Sequence, residues 1–233
     1  MQSKVYDNAA AALFDVEDGI SLMSGGFGLC GIPENSIREI QRREIKNIHA
    51  ISNNIGNSGR GLAWLLKGKQ ISHATCSYVG GNPDLEQQML AKEVDVTLVP
   101  QGTFSERIRA AGMGIRGFYT PAGYGTLVAE GKEEREFDIP CIFELPLHAD
   151  FAIIKAQKGD RFGNLWFKET ARNFSPLMGM AGKVTVVEVE ELVEPGDIAP
   201  ENVHLSGVFV QRIYQGTDYE NTIEIPIYAS DGS

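Results

Sequence analysis

The chain has 233 residues, of which 42% are hydrophobic and 22% charged, a composition that supports a folded protein with a substantial buried core. Its formal net charge of −10 argues against non-specific binding to nucleic acids and to acidic membranes, because both need an excess of lysine and arginine. There is no apolar run of ~20 residues and no signal-peptide pattern, and the three cysteines are widely spaced, so we expect a soluble cytoplasmic protein with reduced thiols.

Strand-like and helix-like segments alternate through the first half of the chain. The first predicted strand precedes a glycine-rich loop, and the first predicted helix starts near Pro33, since proline suits the first turn of a helix. The predicted strands cover residues 19–23, 47–52, 70–79 and 94–100, and the predicted helices cover residues 33–44, 60–68, 83–93 and 103–112. This alternation favours a parallel sheet with helices packed on its faces.

The second half of the chain interrupts this alternation and then resumes it. Residues 135–146 are typical of an antiparallel hairpin, inserted after the glycine-rich stretch 112–125. The later predicted elements are a buried strand at 150–156, a helix at 172–182, a second buried strand at 183–192 and a loop at 196–206. The tail from Tyr214 is expected to wrap over the surface or over a partner. Residues 1–233 are therefore predicted to form one α/β domain, with an open, mostly parallel sheet, helices on both faces and an inserted antiparallel hairpin.

A glycine-rich run, SGGFGLCGIPEN at residues 24–35, follows the first predicted strand. Gly26, Gly28 and Gly31 have the G-x-G-x-x-G spacing of dinucleotide-binding turns, in which glycines let the backbone approach a pyrophosphate. A nicotinamide or flavin site also needs a carboxylate at the end of the second strand, whereas this strand runs into Ser-Asn-Asn at 52–54. Two other interpretations stay open: a tight turn that needs glycine at positive φ, and a bare backbone that binds another anionic ligand.

Candidate nucleophiles are few. Cys30, in the glycine run, has no base near it in the sequence, so a small buried thiol is the favoured interpretation. Glu34, at the start of the predicted helix, is a favourable partner for the helix dipole. None of the four histidines lies beside a nucleophile or a metal partner in the sequence. They are His49, His73, His148 and His204. These residues predict neither a complete catalytic apparatus nor a metal site.

Gln101 is the strongest catalytic candidate. It follows an apolar strand that ends at Pro100, and the ligands of open α/β sheets bind beyond such strand ends. An amide is a poor nucleophile, but its NH₂ group can stabilise an oxyanion; an amide that only stabilises its loop is the alternative. Asn53 and Asn54 also follow a strand, where they either bind polar groups of a substrate, such as a carboxylate, or cap the next helix.

Several motifs are spread over nearly the whole chain. They are DGISLMSGGFGLCGIPEN (18–35), ISNNIG (51–56), SYVGGNPDLEQQML (77–90), VPQGTFSERIRAAGMG (99–114), FYTPAGYGTLVAEG (118–131), ARNFSPLM (171–178) and VVEVEELV (186–193). In this order they resemble the A (alpha) subunits of class I coenzyme A transferases, most closely those of the succinyl-CoA:3-oxoacid type.

The resemblance implies roles for individual residues. In that family the glycine run is assigned to coenzyme A, and the matching residues here are Gly25, Gly26, Phe27, Gly28, Leu29, Cys30 and Gly31. The glutamine that matches Gln101 stabilises the tetrahedral oxyanion, together with a backbone N–H of a companion chain. The coenzyme A thioester is then a substrate, and no permanently bound cofactor is expected.

The resemblance also implies that this chain is half of an enzyme. In the family, a glutamate of the B subunit, in a Ser-Glu-x-Gly context, attacks the donor thioester and displaces the CoA thiolate, giving an anhydride. The thiolate then attacks the glutamyl carbonyl of the anhydride, which forms a glutamyl-CoA thioester and releases the donor acid. The only Ser-Glu pair of this chain, Ser105-Glu106, is followed by Arg107-Ile108. We expect an α2β2 heterotetramer that transfers coenzyme A from succinyl-CoA to a 3-oxoacid such as acetoacetate, a reaction of ketone body metabolism.

Other functions stay open on the sequence. Acetate/butyrate–acetoacetate and 3-oxoadipate CoA-transferases have similar A subunits, so the pair of acids is not decided. A stand-alone CoA-thioester hydrolase would need a nucleophile within this chain. A non-catalytic dinucleotide-binding or regulatory module would show tight NAD binding and no binding of CoA esters.

Overall fold

The computed structural model of the chain describes residues 3–57 and 59–221. The strands of this part of the chain are β1 (Ser21–Ser24), β2 (Ile48–Ile51), β3 (Ile71–Cys76), β4 (Asp95–Leu98), β5 (Phe118–Thr120), β6 (Glu134–Glu136), β7 (Pro140–Glu144), β8 (Ala149–Asp160), β9 (Leu165–Trp166), β10 (Gly182–Val193) and β11 (Arg212–Gln215). The α-helices are α1 (Ala9–Ala12), α2 (Glu34–Arg42), α3 (Ala63–Lys67), α4 (Pro83–Leu90), α5 (Gln101–Gly112) and α6 (Ser175–Ala181). Short 3₁₀ turns lie at Leu127–Ala129, Glu169–Arg172, Pro200–Asn202 and Gly207–Phe209.

The strands form one large sheet and one small sheet. Seven strands of the large sheet are parallel, in the order β11-β10-β8-β1-β2-β3-β4, and β9 pairs antiparallel with β8. The small sheet is antiparallel, in the order β5-β7-β6. The predicted α/β class, the mostly parallel sheet and the antiparallel hairpin are therefore confirmed. The hairpin carries an additional strand, β5, which is too short to show an alternating pattern in the sequence.

Helices cover both faces of the large sheet, as predicted. The helices α1 to α4 contact one another in chain order over a core that includes Leu22 and Ile40. The helices α5 and α6 pack together over the opposite face, where the core includes Met23 and Phe104. Leu22 and Met23 are adjacent in β1 and both fully buried, because successive side chains of a strand point to opposite faces. β1 therefore contributes side chains to the cores on both faces of the sheet, and its carboxyl end lies in the middle of the sheet.

Two helices begin later than predicted, in both cases after a residue with left-handed backbone. The helix predicted over 60–68 is confined to α3, since Gly61 has a φ of 62°. The helix predicted over 172–182 starts at Ser175, because Asn173 has a φ of 24°. The other predicted strands and helices are present, with ends that differ by a few residues.

The tail that was expected to wrap over the surface or over a partner does not begin at Tyr214. Tyr214 lies in β11 and is 1% exposed, because this strand pairs with β10 inside the sheet. A strand of four residues is too short to be recognised from alternation, so only its partner reveals it. Beyond β11, Thr217 N donates a hydrogen bond to Asn35 Oδ1 (3.1 Å), which brings the chain back to α2. The rest of the predicted tail, residues 222–233, lies outside the described residues.

Glu188 of β10 is a fully buried carboxylate that ties this side of the sheet to α2. It accepts hydrogen bonds from Asn35 N (3.3 Å), Ser36 N (2.8 Å), Ser36 Oγ (3.0 Å) and the Tyr214 hydroxyl (2.8 Å). Burial raises the pKa of Glu188 to about 7, because a charged carboxylate loses its hydration there, and the hydrogen bonds only partly offset this loss.

The contribution of Glu188 to the stability of the fold is expected to decrease as the pH rises from about 5 to about 7. Unfolded Glu188 has an ordinary pKa of 4.5, so between this value and about 7 the folded state binds the proton more tightly, and this advantage is lost with increasing pH. The loss is at most ~1.4 kcal/mol per pH unit. Urea unfolding of the wild type and of Glu188→Gln measures it: the difference in unfolding free energy should change up to about pH 7 and then level off. Parallel pH profiles of the two proteins would contradict this assignment.

Candidate functional site

The glycine run leaves β1 at the position where the order of the strands reverses. From β1, the strands β2, β3 and β4 follow to one side, while β8, β10 and β11 lie to the other. Connections that diverge in this way leave a crevice at the carboxyl ends of the strands, where open α/β sheets bind ligands. Gly25, the first residue of the run, still pairs with the sheet, because its N–H donates to Ile153 O of β8 (2.9 Å). The run thus lies at the topological position of a binding site.

The glycine run forms a tight backbone turn. Phe27 and Cys30 exchange two backbone hydrogen bonds of 3.0 Å. Gly26, Gly28 and Gly31 have φ values of 117°, 59° and 72°, a region that residues with a Cβ rarely adopt. The spacing of these glycines is therefore a conformational requirement of the turn, as the tight-turn interpretation predicts.

The remaining side chains of the run differ in exposure. Leu29 is buried, with 4% of its surface exposed, whereas the ring of Phe27 is 54% exposed. The Cys30 side chain is half-buried, and its Sγ atom lies 3.8 Å from Thr170 Oγ1. The run is thus anchored by Leu29 and presents an aromatic ring to the outside.

A chain of hydrogen bonds joins the glycine run to Gln101. Gly28 N donates to Asn53 Oδ1 (3.3 Å), and Asn53 Nδ2 donates to Gln101 Oε1 (2.8 Å). Ser77 Oγ donates to the same Gln101 oxygen (2.6 Å). Asn53, Ser77 and Gln101 follow β2, β3 and β4, and adjacent parallel strands bring their carboxyl ends to one edge of the sheet. The structure therefore brings the two predicted parts of the site together.

This network decides which end of the Gln101 amide is free. A backbone N–H only donates, so the Asn53 atom that faces Gly28 is the oxygen, and the Asn53 nitrogen faces Gln101. Gln101 consequently turns its oxygen toward Asn53 and Ser77 and its Nε2 group away from them. Within the part of the chain that the structure describes, Nε2 donates to no acceptor, and the side chain is exposed. Its N–H groups thus have no acceptor among the described residues.

The helix that begins at Gln101 adds to the electrostatics of the crevice. Gln101 is the first residue of α5, a helix of twelve residues that starts without a side-chain cap. Its first backbone N–H groups are therefore unpaired within the helix, and the positive end of its dipole lies at the same place. This arrangement suits the stabilisation of a developing negative charge.

The side chain of Asn53 settles one of the alternatives that the sequence left open. It hydrogen-bonds Gly28 and Gln101 and does not cap the next helix, which begins only at Ala63. The neighbouring Ser52 Oγ donates to Ser24 O (2.8 Å). The ribose-binding carboxylate of a dinucleotide site has no counterpart at this strand end, so the G-x-G-x-x-G spacing does not indicate an NAD site here.

Glu34 lies in the first turn of α2, as predicted, and also makes contacts that the sequence does not reveal. It is buried at the start of α2, where it accepts hydrogen bonds from the backbone N–H groups of Glu220 and Asn221 (3.0 Å each). It therefore binds the segment that follows β11, in addition to its favourable place at the helix start. These contacts argue against Glu34 as a nucleophile.

Two of the scattered histidines are neighbours in the fold. The rings of His49 and His73 lie 4.3 Å apart across β2 and β3, and their Nε2 atoms hydrogen-bond the hydroxyls of Thr75 (2.8 Å) and Thr97 (2.9 Å). Burial, with a smaller contribution from His73, lowers the pKa of His49 to about 4. His49 is thus neutral near pH 7, and its contacts are those of a structural residue.

The Cys76 thiol is not suited to nucleophilic chemistry. Burial raises the pKa of the Cys76 thiol to about 11, which keeps it protonated and unreactive.

Among residues 3–57 and 59–221, no group of three or more His, Cys, Asp or Glu side chains is arranged to hold a metal ion. Over the same residues, none of the helices combines the length and the apolar character needed to cross a membrane.

Comparisons with known proteins point to one family. The sequence pattern of the family described as Coenzyme A transferase matches residues 6–216. The A subunit of the succinyl-CoA:3-ketoacid coenzyme A transferase of Helicobacter pylori (strain J99) is 48% identical over 223 residues, which cover 95% of this chain and 96% of that protein. The human mitochondrial succinyl-CoA:3-ketoacid coenzyme A transferase 2 is 43% identical over 243 residues, covering 96% of this chain and 47% of that protein.

A solved structure has the same fold. The acyl-CoA transferase YdiF of Escherichia coli O157:H7, in a thioester complex with CoA, superposes with a TM-score of 0.86 at 20% sequence identity, covering 97% of this chain and 50% of that chain. The open sheet of this chain thus has the fold of that acyl-CoA transferase. Together with the sequence matches, this shows that the chain belongs to the coenzyme A transferase family. The resemblance found in the sequence motifs is confirmed.

Two residues of the site are not identified by the sequence pattern. Ser77 directly follows β3, so its position after a strand end could have indicated a site residue, as the position of Asn53 did. Asn173 precedes α6, and its Oδ1 atom accepts a hydrogen bond from Gly26 N (3.1 Å). Nothing in the local sequence connects Asn173 to the glycine run, because 147 positions separate the two residues.

Proposed function

We propose that this chain is the A (alpha) component of a succinyl-CoA:3-oxoacid CoA-transferase, which moves coenzyme A from succinyl-CoA to a 3-oxoacid such as acetoacetate. The observation that carries the proposal is the free Nε2 group of Gln101, held beside the glycine run at the switch point of the sheet. The identity to a relative of that name over nearly the whole chain supports this choice of acids.

Gln101 is the oxyanion donor in this proposal. When a carboxylate attacks a thioester, the carbonyl oxygen acquires negative charge, and an N–H group already aimed at that oxygen lowers the barrier. Asn53 and Ser77 hold the amide oxygen of Gln101, so the donor needs no reorganisation as the charge develops. The uncapped start of α5 adds partial positive charge. A backbone N–H of a companion chain is the second donor.

The glycine run, residues 25–31, binds the coenzyme A part of the thioester in this proposal. Its backbone lacks side chains at four of seven positions, so a long polar ligand can approach it closely. Contacts far from the reacting sulfur position the thioester against Gln101, so that binding energy contributes to the rate. Coenzyme A enters and leaves with each turnover and is therefore a substrate.

The chemistry requires a companion chain. An amide such as Gln101 is not a nucleophile, and Glu34 is occupied by backbone contacts with Glu220 and Asn221. The Helicobacter pylori relative of matching length is named as one subunit of its enzyme, whereas the human relative is about twice as long as the part that this chain matches. We therefore propose a B subunit that supplies the nucleophilic glutamate, assembled with this chain as an α2β2 heterotetramer.

The test is transfer of coenzyme A from succinyl-CoA to acetoacetate by this chain alone and by the chain co-expressed with its companion. Activity in the pair only is the expected result. Thioester hydrolysis by this chain alone, without an acceptor acid, would overturn the proposal in favour of a hydrolase. A pair that accepts acetate, butyrate or 3-oxoadipate in place of acetoacetate would overturn the choice of acids and leave the role of Gln101 intact.

A further inference from the structure

A short segment before α6 contacts the first part of the glycine run. We call this segment, residues 170–175, the seat. Asn173 Oδ1 accepts a hydrogen bond from Gly26 N (3.1 Å). The rings of Phe174 and Phe27 stack with their centroids 6.1 Å apart. Two consecutive residues of the seat, Asn173 and Phe174, therefore contact two consecutive residues of the run.

The seat also contacts the last part of the run. Asn173 Nδ2 donates to Cys30 O (3.1 Å), so one side chain binds both arms of the turn. A Cβ on Gly31 would lie 2.6 Å from Ala171 O and 3.0 Å from Asn173 Nδ2. The closeness of the two backbones therefore requires glycine at position 31, in addition to its φ of 72°.

Asn173 is held in an unfavourable backbone conformation. Its φ of 24° and ψ of −119° lie outside the regions that residues with a Cβ prefer. Further hydrogen bonds fix its side chain, because Oδ1 also accepts from Phe174 N (2.7 Å) and Nδ2 also donates to Ala171 O (3.1 Å). Strain that the surroundings maintain in this way is concentrated at functional sites.

We infer that Asn173 is a positioning residue for coenzyme A: it holds both arms of the glycine run in the shape that the ligand binds. The inference rests on the proposed function, because it takes residues 25–31 to be the segment that contacts coenzyme A. Asn173 acts through the run and not on the reacting atoms, so its loss should weaken binding more than it slows the chemical step.

Steady-state kinetics of the assembled complex separates these two effects. Asn173→Ala removes the bonds to both arms, and we expect the KM for succinyl-CoA to rise about tenfold or more, with kcat changed much less. Asn173→Asp keeps an acceptor for Gly26 N but places an oxygen opposite Cys30 O, so its KM should lie between those of the wild type and the alanine variant. A kcat loss without a change in KM would overturn the inference.

Amide hydrogen exchange of the peptide that covers residues 24–33 gives a readout independent of turnover. In the wild-type complex, free coenzyme A should slow exchange in this peptide, and Asn173→Ala should speed exchange and weaken the protection. If coenzyme A gives no protection in the wild type, the assignment of the run to coenzyme A fails. If protection occurs and Asn173→Ala changes neither exchange nor KM, the inference about Asn173 fails while the proposed function stands.

Matched variants distinguish positioning from a general loss of stability. Gly31→Ala places a Cβ too close to Ala171 O of the seat. The run should be displaced from the seat, so this variant should also raise the KM. Gly114→Ala imposes the same backbone strain, at a φ of 71°, with nothing within 4 Å of the new Cβ. Asn164→Ala removes a hydrogen bond from Gly207 N (3.0 Å) elsewhere in the fold. Both controls should keep the wild-type KM; an equal rise in them would overturn the inference.

Discussion

Replacing Gln101 with alanine is expected to lower the kcat of the assembled enzyme by about 10²–10³, the usual loss for one oxyanion donor. The variant removes the Nε2 group that the network leaves free, while the glycine run keeps its own contacts with the seat. The KM for succinyl-CoA should change little, because the donor acts on charge that appears only in the transition state. Kinetics of the complex purified with its companion chain measures both quantities.

Two further variants separate the donor from its surroundings. Gln101→Glu keeps the oxygen that Asn53 and Ser77 bind but has no N–H group, so it should be as defective as the alanine variant. Gln88→Ala removes a glutamine whose Nε2 donates to Leu66 O (3.0 Å) outside the site, and it should leave kcat unchanged. A Gln101→Glu enzyme with wild-type kcat would exclude the oxyanion role.

Replacing Asn53 with aspartate is expected to lower kcat by about 10², although Asn53 lies behind Gln101. One carboxylate oxygen still accepts from Gly28 N, but the other faces Gln101 Oε1, which lies 2.8 Å from Asn53 Nδ2 in the wild type. Two acceptors repel each other, so the Gln101 amide should rotate and turn its N–H groups toward the new carboxylate. The crevice then loses its donor while Gln101 stays in place.

A double variant tests whether Asn53 acts through Gln101. Adding Asn53→Asp to Gln101→Ala should cause little additional loss of kcat, because the group that it misdirects is already absent. Additive losses would show that Asn53 has a separate role. Asn82→Asp is the matched control: Asn82 is also a buried asparagine, whose Nδ2 donates to Ile55 O (2.6 Å), and its replacement should lower stability without changing the kcat of the folded complex.

The succession of strands and helices was predictable where an element is long enough to show a period. In β1, two successive residues face two different cores, and in α2 Ile37 and Ile40 recur at helical spacing on the buried face. The elements that escaped prediction are short. Phe118–Thr120 and Arg212–Gln215 are strands because β7 and β10 lie beside them, which their own residues do not reveal.

Several residues of the candidate site could also be predicted from the local sequence. Gly26, Gly28 and Gly31 follow a strand with a spacing that tight turns need, and their positive φ values show why. Gln101 stands out as a polar residue directly after an apolar strand. Asn53 had two open interpretations, and the structure places it between Gly28 and Gln101.

The amino-acid sequence alone was sufficient to predict the α/β class, the family and the residue types available for chemistry, because periodicity, turn glycines and motifs are properties of neighbouring residues. The tertiary structure alone decided the direction of the Gln101 amide and the hold of Asn173 on the glycine run. Both depend on hydrogen bonds between segments far apart in the chain, and such bonds have geometry only once the parallel sheet has brought the strand ends together.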